Sequence, residues 1–186
     1  MNMKPQYRSV LNIAIFVFLV FADQLTKYFV RVYLMPKGSI PIISGVLELR
    51  YLENFGAAFG ILQNKKVFFV IITLIIMIII FYVSRKIYSE IYCKKTESAI
   101  LKKFIVLDIV LLVLAAGALG NLVDRIRFNY VVDFIYFKLI DFPIFNIADC
   151  CVTLSAITLI IIFLFVIKDN DFKHLFPSKK AGRLDK

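Results

Sequence analysis

The 186-residue chain contains one histidine, His174, and three cysteines, Cys93, Cys150 and Cys151. A lone histidine excludes a multi-histidine metal centre, and the cysteines form neither a metal-ligand spacing nor a disulfide framework. Cys150 and Cys151 are adjacent near the start of an apolar run, where cysteine behaves as a small packing residue. Charge is also scarce: Asp, Glu, Lys and Arg make up 19% of the chain against 61% hydrophobic residues, with only 7 Gly and 5 Pro. So little charge leaves no polar face to keep a globule of this size in water. The abundance of aliphatic and aromatic residues excludes intrinsic disorder. With a mean hydropathy of +0.84, the composition implies a bilayer as solvent.

Four apolar segments are present: 10–32, interrupted by Asp23 and Lys27; 67–83, without any charge; 104–123, with Asp108; and 144–167, with Asp149. Each is close to the ~20 residues a helix needs to span the hydrocarbon. The expected architecture is therefore one all-α membrane domain of four transmembrane helices, followed by a basic cytoplasmic tail over 168–186. The first segment has the basic start of a signal peptide. No small-x-small cleavage site follows it, so it reads as a retained span.

Net charge is +10, yet the basic residues flank the apolar runs instead of clustering on a soluble domain. That pattern suits lipid headgroups rather than nucleic acid. Segments 1–9, 84–103 and 168–186 hold 14 Lys and Arg, against 8 in 31–66 and 125–138. The positive-inside rule places both termini in the cytoplasm. On the other side, Ile40–Leu52 is β-branched and alternating and is expected to form a short sheet at the membrane surface. Residues 130–145, aromatic and apolar with Asp133 and Asp141, read as an interfacial segment.

The pattern that carries chemistry is repeated: Asn121-Leu122-Val123-Asp124 and Asn146-Ile147-Ala148-Asp149. Each places an Asn and an Asp on one helix face. Lys103 to Asp124 spans about 31 Å of helix and Asp149 to Lys168 about 28 Å. With both lysines at the cytoplasmic face, both aspartates reach the outer interface at matching depth. Two carboxylates that approach there share a proton, as the general acid and base of an aspartic peptidase do. Spacing alone leaves two other readings open: an ion or proton path, and a structural polar cluster. Asp23 and Lys27, at i and i+4, either neutralise one another or brace the same site. Asp108, without an Asn partner, reads as a packing or cytoplasmic-side residue.

Five motifs in order extend this pattern: Asp23-Gln24-Leu25-Thr26-Lys27, Asn54-Phe55-Gly56-Ala57-Ala58-Phe59-Gly60, Gly117 to Arg125, Val132-Asp133-Phe134 and Phe145 to Asp149. Over about residues 10–167 the chain resembles the lipoprotein signal peptidase (signal peptidase II) family. The resemblance implies four transmembrane helices with a small extracytoplasmic sheet and a helix resting on the membrane. It implies a bacterial inner-membrane aspartic endopeptidase that cuts prolipoprotein signal peptides before the diacylglyceryl-modified Cys. Asp124 and Asp149 would be the catalytic pair. Asn54, Gly56, Asn121, Arg125 and Asn146 would bind substrate or support the dyad, together with Asp23 and Lys27. No cofactor or metal is implied. The partners are the prolipoprotein and membrane phospholipid, and the working unit is a monomer. Two positions depart from the family pattern: Cys150, where a Ser or similar small residue is usual, and Phe128-Asn129, where a Gly is usual.

Two other function classes compete. A transporter would place acids along a path through the membrane, whereas all the candidate acids except Asp108 fall toward one side. An assembly subunit has no need of a repeated Asn-x-x-Asp.

Overall fold

The computed structural model describes residues 5–56, 62–93 and 98–176. Residues 57–60 of the small-residue loop, and the tail beyond 176, lie outside the described residues. The elements run α1 (Pro5–Phe29), β1 (Ser39–Ile43), β2 (Leu47–Asn54), α2 (Lys66–Cys93), α3 (Ser98–Phe128), β3 (Val131–Phe137), α4 (Ile147–Ile161) and α5 (Asp169–Leu175).

Three helical stretches are long and apolar enough to cross a membrane: Gln6–Lys37, Lys66–Tyr92 and Ile147–Val166. Their large apolar side chains face outward, with Ile78 68% exposed and Phe81 69% exposed. Such surfaces are stable in hydrocarbon and costly in water. The expected span 104–123 lies inside the 31-residue α3, whose buried residues include Leu107, Leu111, Ala115, Gly117 and Gly120. α3 is the central element, packing against α1, α2 and α4.

Small residues let α4 come close. A Cβ on Gly117 would lie 2.6 Å from the carbonyl oxygen of Ala148, and one on Gly120 would lie 2.5 Å from Asp23 Oδ2. The glycine pair is thus the contact surface itself, the usual device where helices pack in lipid.

The three strands form an antiparallel sheet in the order β1-β2-β3. Val30 and Leu34, in the π-turn Val30–Leu34 that ends the first helix, pack with Val132 and Phe134 in a small core beneath it. β1 and β2 fall where alternation predicted a sheet. The third strand lies within the stretch 130–145, where the sequence predicts an interfacial segment and no strand. Val131, Val132, Asp133 and Phe134 are all buried, so the strand is covered on both faces and shows no alternation to read.

Other boundaries shift for local reasons. The last span begins at Ile147, not 144, because Asn146 caps α4. Its side chain accepts from the Asp149 N–H, and the Asp149 carboxylate accepts from the Asn146 N–H. This is a reciprocal capping box. The preceding Phe145 pairs with Ile135 of β3 instead. Asn129 adopts φ +69°, the left-handed conformation that explains the usual Gly and that Asn tolerates. Among the described residues, the sheet end holds only the short turns Met35–Lys37 and Lys138–Ile140, not a surface helix. The first part of the expected free tail is α5, which docks through Leu175 and the 2.7 Å Lys103–Asp171 ion pair.

Candidate active site

The sheet end of the bundle gathers polar side chains in two layers. The deeper one centres on Lys27, near the C-terminal end of α1. Its Nζ lies 3.0 Å from Asp23 Oδ2 and 3.0 Å from Asp124 Oδ2, and it donates to Asn121 Oδ1 at 3.0 Å. All three charged residues are at most 2% exposed. Gln24 Nε2 bridges the two acids, donating to Asp23 Oδ2 at 3.2 Å and to Asp124 Oδ1 at 3.0 Å.

Each of these carboxylates also holds a backbone amide. Asp23 Oδ1 accepts from the Ala148 N–H at 3.0 Å, in the first turn of α4, and Asp124 Oδ2 accepts from the Val132 N–H at 3.1 Å. The layer therefore ties α1 and α3 to α4 and β3. A buried ion cluster is tolerable only when its lone pairs and protons are satisfied in this way.

The second layer lines a cavity of about 560 Å³, within the size range of ligand sites. Asn54, Gly56, Asn121, Arg125, Asp133 and Asp149 face it, with apolar walls that include Phe142, Phe145 and Leu154. Asp133 accepts from Asn146 Nδ2 at 2.6 Å and from Asn54 Nδ2 at 2.8 Å. Asp149 accepts from Asn121 Nδ2 at 2.8 Å and from the Asn146 N–H at 3.1 Å. Arg125 Nη2 donates to the Gly56 carbonyl at 3.0 Å, and its guanidinium lies over the Phe69 ring at 4.4 Å. Burial, and then the nearby charge of Asp149, push the Asp133 carboxyl up to about 7.

The structure does not bring the two expected carboxylates, Asp124 and Asp149, to one cavity. Asp124 does not line the cavity. Its carboxylate is taken up by Lys27, Gln24 and the Val132 N–H, and Asp133 stands across from Asp149 in its place. The depth argument does not fix rotation about the helix axis, and Asp124 turns toward α1. Asp133 arrives on the strand that periodicity did not reveal. The available signal was an acid inside the apolar run Val131–Phe137, since a buried acid needs partners. Asn54, Gly56, Asn121 and Arg125 do line the cavity, Asn146 is buried behind Asp133 and Asp149, and Asp23 and Lys27 belong to the deeper layer. Asp108 lies far from it, 2.8 Å from Asn12 and 3.5 Å from Arg8. Among the described residues no three His, Cys, Asp or Glu side chains are grouped to hold a metal ion.

Apolar helices with a carboxylate-lined cleft beside a small sheet define a multi-pass membrane protein. Comparison with known proteins makes the class specific. The family model described as Signal peptidase (SPase) II matches residues 15–165, and the chain belongs to that family of proteases. A lipoprotein signal peptidase of Caldanaerobacter subterraneus subsp. tengcongensis is 45% identical over 154 residues, covering 82% of this chain and 95% of that protein. One from Clostridium tetani is 40% identical over 167 residues, covering 88% and 96%. A bacterial membrane enzyme solved by the in meso method at 2.3 Å matches with a TM-score of 0.66 and 39% identity, over 83% of this chain and 87% of that one.

Proposed function

We propose that this chain is an aspartic endopeptidase that removes the signal peptide from diacylglyceryl-modified prolipoproteins, cutting immediately before the lipidated Cys. The observation that carries the reading is one cavity lined by two carboxylates, Asp133 and Asp149, both held by Asn146. The similarity to proteins named lipoprotein signal peptidase supplies the substrate class.

In the proposed cycle Asp133 carries the shared proton and Asp149 is ionised. Asp149 takes a proton from water as the oxygen attacks the scissile carbonyl carbon, and Asp133 gives its proton to the carbonyl oxygen. The resulting gem-diol collapses as Asp149 protonates the leaving nitrogen. The C–N bond breaks and one hydroxyl proton returns to Asp133, which restores the starting state. Asn54 and Asn146 orient Asp133, and Asn121 orients Asp149. Arg125 holds the Gly56 backbone at the cavity edge. Lys27, Asp23 and Asp124 brace the elements from below and touch no substrate.

In the proposed topology α3 is the fourth span, both termini are cytoplasmic, and the site lies at the extracytoplasmic face of the bacterial inner membrane. A lipidated Cys stays anchored in the bilayer, which fixes the scissile bond at the height of the dyad and lowers the entropic cost of alignment. The monomer suffices, because one chain supplies every site residue. The test is cleavage by purified protein of lipidated and unlipidated prolipoprotein. Cleavage of the lipidated form alone, lost in both Asp133→Asn and Asp149→Asn, is the expected result. Full activity in either variant overturns the dyad.

A further inference from the structure

A second cavity, of about 580 Å³, opens at the other end of the bundle. α1 and α2 each pack on α3 far more than on one another, which leaves a lateral groove floored by α3. Ile13, Phe16, Met77, Phe81 and Leu112 line its deeper part, and Asn12, Ser84, Arg85, Tyr88 and Asp108 line its mouth. The polar residues belong to the start of α1, the end of α2 and the early part of α3. These are the ends remote from the sheet, so the groove runs from polar to apolar along the bundle axis. Along α2, Tyr88 to Met77 covers about 16 Å of helix, roughly half the ~30 Å hydrocarbon thickness.

Charge decides the headgroup. Asp108 is already neutralised by Arg8 at 3.5 Å and accepts from Asn12 at 2.8 Å. Arg85 is exposed, and no hydrogen bond or ion pair joins it to another of the described residues. Ser84 and Tyr88 set hydroxyl donors beside it, and Lys86 is its chain neighbour. An exposed guanidinium beside two hydroxyl-bearing side chains matches a phosphodiester, and basic side chains at a bilayer surface attract anionic lipids.

We propose that this groove is a binding site for one anionic glycerophospholipid, with its phosphate at Arg85 and an acyl chain between Ile13, Phe16, Met77 and Leu112. The lipid belongs to the leaflet away from the sheet. It wedges α1 and α2 apart, filling space that the protein leaves open, and it contacts none of the peptidase residues.

The test uses the full chain in nanodiscs with a phosphatidylglycerol carrying a diazirine in its acyl chain. Photolabelling concentrated on the α1 segment around Ile13–Phe16 and the α2 segment around Met77–Phe81 is expected. Unlabelled phosphatidylglycerol should compete for it and phosphatidylcholine should not. Arg85→Gln should weaken competition about fivefold, the effect of one basic residue at the surface. Ile13→Trp, at a position already 63% exposed, should block labelling by filling the groove without disturbing the core. Prolipoprotein cleavage serves as the folding control for both variants and should persist. Uniform labelling of all helices, equal competition by phosphatidylcholine, or labelling unchanged in Arg85→Gln would overturn the proposal.

Discussion

The side-chain amide of Asn146 donates to Asp133 Oδ1 at 2.6 Å. The same residue caps α4 and donates its backbone N–H to Asp149. One asparagine therefore sets the position of both acids and the start of the helix that carries one of them. Asn146→Ala should cost about 1 kcal/mol through loss of the cap and lower kcat roughly 100-fold, the low end of a lost general acid-base contribution. Asn146→Asp can still cap but has no amide to give Asp133. It should recover thermal stability and not kcat. Recovery of both would reduce Asn146 to a cap.

Asp133 and Asp124 should separate when each is changed to Asn. Asp133→Asn removes the proposed proton donor, and cleavage should fall by at least about 100-fold, with the melting temperature at pH 8 unchanged or raised. Asp124→Asn removes one of the two carboxylates around Lys27, and breaking such a buried pair costs on the order of 3 kcal/mol. Its signature is a lowered melting temperature. An Asp133→Asn protein that cleaves normally, beside a stable but inactive Asp124→Asn, would return the dyad to Asp124 and Asp149.

The raised Asp133 carboxyl, at about 7, fixes the sign of two pH profiles. Its proton is held more tightly in the folded state than in the unfolded one. Folding stability should therefore decline as pH rises from about 4 toward 7 and level off above. The profile of kcat/KM should show an alkaline limb near pH 7, reporting a macroscopic constant of the Asp133–Asp149 pair. Asp133→Asn should flatten the stability profile. A stability slope that persists in that variant would assign the titration to another group.

Gly120→Ala introduces a Cβ 2.5 Å from Asp23 Oδ2 and 3.3 Å from the Ala148 Cβ. Overpacking of this kind costs about 1–3 kcal/mol. Here it also pushes Asp23 away from Lys27 and from the Ala148 N–H. Reduced thermal stability together with reduced cleavage is expected. An unchanged melting temperature would show that α3 and α4 can separate without penalty.

The transmembrane helices were legible because a 20-residue apolar run has few alternatives. The matched Asn-x-x-Asp motifs were legible because helix rise converts sequence distance into depth. Rotation about the axis has no such ruler, which is why Asp124 was read into the cavity when it faces Lys27. β3 escaped because burial on both faces erases the alternation that marks a strand. α5 escaped because a seven-residue helix anchored chiefly by Asp171 and Leu175 leaves too short a pattern to separate from a solvated tail. The asparagines that the structure brings to the cavity or behind it are short polar side chains within apolar stretches, where a buried polar atom demands a partner.

The pairing of Phe145 with Ile135 has a consequence for biogenesis. It joins the strand bearing Asp133 to the approach to α4, which is synthesised after that strand. Until α4 is in place and Phe145 has zipped onto the sheet, Asp133 has neither the Asn146 amide nor Asp149 beside it. The proposed dyad is therefore assembled only as α4 packs.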